Sequence, residues 1–277
     1  MIVLEIVFAA LFGLALGSFA NVCISRLPAH RSIVRPGSHC PHCRTPIAVR
    51  DNIPLLSFAL LRGRCRSCGR HISWRYPLVE LAIAALTVAC IVFFGLDLDG
   101  VAGAVFCAFM VALAVCDAET LRLPDALTLP LIGLGILYRA ADGFTGGVQH
   151  GAGYALRYGL ALGLRGTISA VATALALLLL RWLYVLLRKR QGMGLGDVKL
   201  AAGIAAWLGA RQMLVVFFVA VVCGALVTLT LLALVRRKAR TGTGPRAVPF
   251  GTFLALAAIY GLFFGWRTLL WYMHFFA

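Results

Sequence analysis

Acidic side chains are scarce in this chain: Asp and Glu number 10 among 277 residues, and charged residues of all kinds make up 13%. A soluble globular domain carries about a quarter charged residues, so that class is excluded. Against the 10 acids stand 26 Lys and Arg, a formal charge of +16. No base-stacking or DNA-reading motif accompanies the basic residues, which argues against a nucleic-acid partner. Positive charge in an apolar chain belongs instead on cytoplasmic loops. No basic residue precedes the first apolar run, where a cleaved signal peptide would carry one. The chain also shows no inverted repeat, which counts against a transporter.

What is abundant is hydrophobic sequence, 61% of residues. Apolar runs fall at 2–24, 78–96, 101–116, 126–137, 167–187, 200–208, 214–235 and 250–270. The expected fold is therefore all-α: a polytopic membrane protein of about eight transmembrane helices. Several runs fall short of the ~20 residues that cross a bilayer, so their flanks must extend them. Residues 146–166 either extend the fifth helix or lie on the outer surface.

Between the first two runs lies the one long polar segment, 26–75, with ten arginines and a single acid, Asp51. An outside N-terminus places this loop, Arg122, 188–199 and 236–246 in the cytoplasm, together 20 of the 26 Lys and Arg. Such loops also meet anionic membrane lipids. The expected division is a first helix over 1–25, a cytoplasmic zinc-binding loop over 26–76 and a membrane core over 77–277. Within the loop, Cys40-Pro41-His42-Cys43 and Cys65-Arg66-Ser67-Cys68 are separated by 21 residues. Two Cys-x-x-Cys pairs supply four thiolates for a structural zinc. Iron or redox chemistry is the alternative. His39 and His42 are then bystanders, since four cysteines close the shell. The five remaining cysteines are scattered along apolar runs, where cysteine acts as a small hydrophobe.

Two acids stand at membrane boundaries on the side of this loop. Asp117 closes the run Ala114-Val115-Cys116-Asp117, and Asp197 follows three glycines in Gly192-Met193-Gly194-Leu195-Gly196-Asp197. Two carboxylates sharing a site cannot both ionise easily, so one holds a proton while the other takes one from water. The plainer reading is two acids at helix ends. Glycines that allow close approach around Asp197 favour the pair. Asp125, after Pro124, has the composition of a helix start. Glu119 can pair with Arg122. Glu80 enters an apolar helix without an obvious partner, in a site or beside an arginine. Lys199 either tunes Asp197 or reaches for the interface.

Gly17-Ser18-Phe19-Ala20-Asn21-Val22, the cysteine loop, Arg75-Tyr76-Pro77-Leu78-Val79-Glu80, Asp117 with Leu123-Pro124-Asp125, Gly194-Leu195-Gly196-Asp197 and Pro249-Phe250-Gly251 occur in this order. In this combination the chain resembles the type IV prepilin peptidase family of bacteria over nearly its whole length. The resemblance implies an intramembrane-type aspartic protease of the bacterial inner membrane with Asp117 and Asp197 as its catalytic pair. It implies that prepilins or pilin-like secretion proteins lose a short basic leader after a glycine at the cytoplasmic face. It further implies N-methylation of the new terminus with S-adenosylmethionine, and zinc on Cys40, Cys43, Cys65 and Cys68. The alternatives are a peptidase that does not methylate, and a transporter or zinc-binding scaffold. Cys116 stands where the family commonly has a larger apolar residue. A basic face does not attract a basic leader, so recognition must come from specific acids, backbone contacts or the shared membrane plane.

Overall fold

The computed structural model describes residues 2–190, 192–238 and 249–276. Among them the chain is helical with no strand: α1 (Ile2–Arg26), a short α2 (Leu56–Leu60), α3 (Arg75–Phe94), α4 (Leu98–Thr120), α5 (Asp125–Gly147), α6 (Ala152–Arg188), α7 (Leu195–Leu208), α8 (Ala210–Lys238) and α9 (Phe250–Phe276). Seven of these are long and apolar enough to cross a membrane, and the chain is a multi-pass membrane protein. The exception among the eight expected helices is α7, whose 14 residues rise about 21 Å against a hydrocarbon core of about 30 Å. Most of the basic loop expected at 236–246 lies outside the described residues, as does Gln191.

The chain forms two compact units, Met1–Ala112 and Leu113–Ala277. In the first, α1 and α3 run antiparallel because small residues let them touch. A Cβ on Gly13 would lie 2.6 Å from the Ala84 Cα, and one on Gly17 would lie 2.7 Å from the Glu80 Cα. One turn further along α1, Asn21 donates its amide Nδ2 to the Tyr76 carbonyl at 3.0 Å.

The second unit is built on α7, which packs against α5, α6, α8 and α9. Its run Ala201-Ala202-Gly203-Ile204-Ala205-Ala206-Trp207 is buried all round, and such small side chains let four helices approach at once. A Cβ on Gly203 would sit 2.6 Å from Leu131 Cδ2, and one on Gly135 would sit 2.4 Å from Trp207 Cδ1. The Trp207 indole N–H donates to the Leu131 carbonyl at 2.8 Å.

Residues 146–166 resolve in favour of helix. Val148–His150 makes one turn, and Ala152 starts a helix of 37 residues. Glycines at the end of α5 and along α6 form a packing stripe. A Cβ on Gly143 would meet the Gly159 Cα at 2.9 Å, and one on Gly147 would meet the Ala155 Cα at 2.7 Å.

Gly203→Ala should lower the unfolding temperature of the purified protein, with an overpacking cost of about 1–3 kcal/mol. Gly133, with nothing within 4 Å of a Cβ, is the control: Gly133→Ala should leave that temperature unchanged or raise it slightly. Equal behaviour of the two variants would contradict the tight α5–α7 contact.

Candidate functional site

Asp197 is the third residue of α7, and its Oδ2 accepts the Gly194 backbone N–H at 3.2 Å. It therefore caps its own helix, where the unpaired amides favour negative charge. The glycines have separate tasks. Gly196 faces Leu123, whose Cβ would lie 2.9 Å from an added side-chain carbon. Gly192 lies against the Tyr184 ring at 2.7 Å on the same measure.

Asp117 lies in the last full turn of α4 and is buried. The helix ends just beyond it: Leu121 takes the left-handed conformation with φ 54° and donates its N–H to the Asp117 carbonyl at 2.9 Å. The carboxylate meets the start of α9. Its Oδ2 accepts the Thr252 backbone N–H at 2.8 Å and lies 3.3 Å from the Thr252 hydroxyl. That hydroxyl also lies 3.0 Å from the Ala114 carbonyl, and its single proton serves one acceptor at a time. A Cβ at Gly251 would fall 2.9 Å from Asp117 Oδ2 and 3.0 Å from Leu123 Cδ1, so a larger residue would push Asp117 or Leu123 out of this contact. Leu123 is thus the spacer that both glycine contacts share.

The two acids feel one another. Burial, and then the charge of Asp117, push Asp197 up to about 6, while the Gly194 N–H pulls the other way. Each acid thus accepts a backbone N–H at the start of a helix, as the helix-end reading expects. Thr252 went unrecognised in the sequence. The signal available was its place three residues after Pro249, in the first turn of an apolar helix, where free N–H groups point outward.

Other acids fall outside this arrangement. Asp125 opens α5 as expected. Lys199 tunes neither acid, because it pairs with Asp125 at 2.6 Å. Glu80 is buried and accepts the Leu55 backbone N–H at 2.9 Å.

In the polar loop the two cysteine pairs fold alike. Cys40 and Cys65 each donate a backbone N–H across a tight turn, to Thr45 O at 3.0 Å and Arg70 O at 2.9 Å. Each turn then passes through a left-handed residue, Arg44 with φ 58° and Gly69 with φ 67°. Antiparallel bridges His39–Pro46 and Arg64–His71 close them. All four Sγ atoms lie within 4.8 Å of one another, with Cys40–Cys68 at 3.9 Å and Cys43–Cys65 at 4.0 Å. Tetrahedral zinc with bonds of about 2.3 Å needs sulfurs ~3.8 Å apart, so the cluster fits a metal ion of that size. Hydrogen bonds with the Thr45 side chain and backbone bring the Cys43 thiol down to about 6, making a thiolate available near neutral pH. The histidines are occupied elsewhere, His39 beside the Gly37 carbonyl and His42 beside Arg70. A bidentate Arg66–Asp51 pair, at 2.8 and 2.7 Å, ties the second turn to Val49–Asp51.

Residues 11–94 match the bacterial peptidase A24 N-terminal domain, and residues 104–229 match the type IV leader peptidase family. A prepilin leader peptidase/N-methyltransferase of Aeromonas hydrophila is 37% identical over 285 residues, covering 94% of this chain and 89% of that protein. Its namesake in Burkholderia pseudomallei is 35% identical over 287 residues, covering 95% and 86%. One from Klebsiella pneumoniae is 39% identical over 208 residues, covering 73% and 84%. No solved structure matches the chain.

Isotope-edited infrared spectroscopy, with the Asp197→Asn spectrum subtracted, should show Asp197 titrating at about 6. Replacing Asp117 by Asn removes a like charge and favours the Asp197 carboxylate, so the midpoint should move down. An unmoved midpoint would show that the acids do not sense each other. In the loop, Gly69→Val places a β-branched residue in the left-handed region and should lower bound metal per protein. Arg44→Gly relieves that conformation and should retain it. Elemental analysis of both purified variants decides the point.

Proposed function

This chain belongs to the type IV leader peptidase family, and we propose that it is a membrane aspartic endopeptidase removing the basic leader from prepilins or pilin-like secretion proteins. The observation that carries the reading is the coupling of Asp117 and Asp197 across Leu123, each at a helix N-terminus. We assign Asp197 as the acid and Asp117 as the base. Asp197, at about 6, is the partner that most readily holds a proton once substrate excludes water. Thr252 occupies Oδ2 of Asp117, leaving Oδ1 for the nucleophilic water. As that water attacks the scissile carbonyl, Asp117 takes its proton and Asp197 donates to the developing oxyanion. Collapse returns a proton to the leaving amine, and every proton moved belongs to a carboxyl group or to water.

The cysteine cluster holds zinc in a structural role, with Cys40, Cys43, Cys65 and Cys68 as its four ligands and no open position for chemistry. The printed names of the relatives support a second activity, N-methylation of the newly exposed amine. S-adenosylmethionine would supply the methyl group. The division of labour follows the sequence: a first helix at 1–25, a zinc loop at 26–76 and a peptidase core at 77–277. The protein sits in the bacterial inner membrane, N-terminus outside, with the loop and acids at the cytoplasmic face. The concentration of basic residues in the predicted cytoplasmic loops supports that orientation. Membrane lipids surround the helices, and no nucleic acid takes part.

With purified enzyme and a membrane-embedded prepilin, Asp117→Asn and Asp197→Asn should each cut cleavage by roughly 10³-fold or more while the proteins stay folded. Brief chelation should leave wild-type cleavage intact. Cleavage that survives in either folded variant would return these acids to a capping role.

A further inference from the structure

Glu80 and Asn21 are buried polar groups in the first unit that the peptidase reaction does not use. The packing of Gly17 on α3 brings α1 against the Glu80 backbone, and one turn away Asn21 meets Tyr76. Asn21 and Glu80 are thus one helical turn apart on facing helices. Asn21 is 3% exposed and Glu80 8% exposed. The Asn21 amide is oriented by its Nδ2–H donated to the Tyr76 carbonyl, since a flip would set oxygen against oxygen. Its Oδ1 is buried with no hydrogen-bond partner. Among the described residues no basic side chain pairs with Glu80, whose Oε2 accepts the Leu55 N–H. Leu55 presents that N–H from a strained three-residue turn, with φ 57° and ψ −47° and a Leu56 N–H to Pro54 O bond of 2.6 Å. A leucine held in this conformation beside a buried carboxylate is the kind of strain that persists where the surroundings impose it.

A free carboxylate oxygen and an unpaired amide oxygen are both acceptors. What they lack is a donor carrying positive charge. We infer that Glu80 and Asn21 form the site that receives the primary amine to be methylated. The inference rests on the methyltransferase reading given above. The incoming ammonium donates to Glu80 and to Asn21 Oδ1 and gives one proton to the Glu80 carboxylate. The freed nitrogen lone pair then attacks the methyl carbon of a sulfonium donor. The N–C bond forms as the C–S bond breaks, its electron pair leaving on sulfur as a neutral thioether. The methylated nitrogen keeps the positive charge until solvent takes a proton.

The test uses full-length protein in lipid nanodiscs and a peptide that begins at the new N-terminus of a cleaved prepilin, with its N-acetylated twin. Methyl transfer from labelled S-adenosylmethionine, thermal shift on adding each peptide, and prepilin cleavage are measured in parallel. Glu80→Gln keeps the shape and an acceptor for Leu55. It should lower kcat/KM for methyl transfer roughly 30-fold or more, through KM and kcat together, because the variant loses both a charge-assisted contact and the group that takes the amine proton. Cleavage and bound metal should stay at wild-type levels. The free-amine peptide should stabilise wild type but not Glu80→Gln, and the acetylated peptide should stabilise neither. Should Glu80→Gln lose metal and cleavage together, Asn21→Ser, which leaves Glu80 in place, carries the same comparison. Methyl transfer by the folded variant at wild-type kcat/KM would overturn the site. So would a raised KM for prepilin cleavage with methylation intact, which would give Glu80 to a basic leader side chain instead. A wild type that cleaves but never methylates would sink the methyltransferase reading itself, and this inference with it.

Discussion

A carboxylate enclosed by apolar helices must find donors, and nearly everything around the candidate site answers that demand. Unpaired backbone amides at helix N-termini supply donors without importing another charged side chain. Asp197 uses the start of its own helix, and Asp117 uses the start of α9. Each solution requires backbone to come within van der Waals reach of an acid or of Leu123, and so each requires glycine, Gly196 in one case and Gly251 in the other. The two glycine motifs, 55 residues apart, are one structural device used twice. Because the donors are fixed dipoles, they stabilise charge without quenching it by a full ion pair. The acids therefore remain able to exchange protons.

The short central helix follows from the same demand. A helix of 14 residues cannot cross the hydrocarbon alone, so its polar end would face lipid unless neighbours shelter it. Contacts with α5, α6, α8 and α9 provide that shelter, and the alanines and glycine between Leu200 and Trp207 let those helices come close. Shortness is what lets the helix N-terminus, with its amides and the half-buried Asp197, stop beside its neighbouring helices. A full-length span would carry that end out into bulk water, and the electrostatic coupling with Asp117 would be screened.

Patterns confined to a few neighbouring residues were legible in the sequence. The paired cysteines, the two acids, the start of α5 at Asp125 and eight apolar helices all follow from local spacing and composition. What could not be read depended on partners distant in the chain. Thr252 reaches Asp117 across 135 positions, and Lys199 reaches Asp125 across 74. Glu80 found a backbone amide of a strained turn, a partner that no residue type announces. Residues 146–166 were ambiguous for a different reason. Glycine has the same low helix propensity whether it breaks a helix or lines a helix–helix contact, and only the facing stripe on the neighbouring helix tells these apart.

The cysteine loop raises the opposite problem from the acids: too little apolar surface rather than too much. Between residues 27 and 74 only Cys40, Ser57 and Gly63 are buried, so hydrophobic burial cannot hold the segment in one shape. A metal on the four cysteines would close the chain between the two turns and remove conformational freedom at its ends, which a loop of this length needs if it is to keep strained residues. Leu55 lies inside the closed stretch, between Cys43 and Cys65. Its turn is held from one side by the paired knuckles and from the other by the Glu80 carboxylate. A metal with no open coordination position can thus bear on chemistry it does not perform. By fixing the loop it would fix where the Leu55 N–H meets Glu80 Oε2.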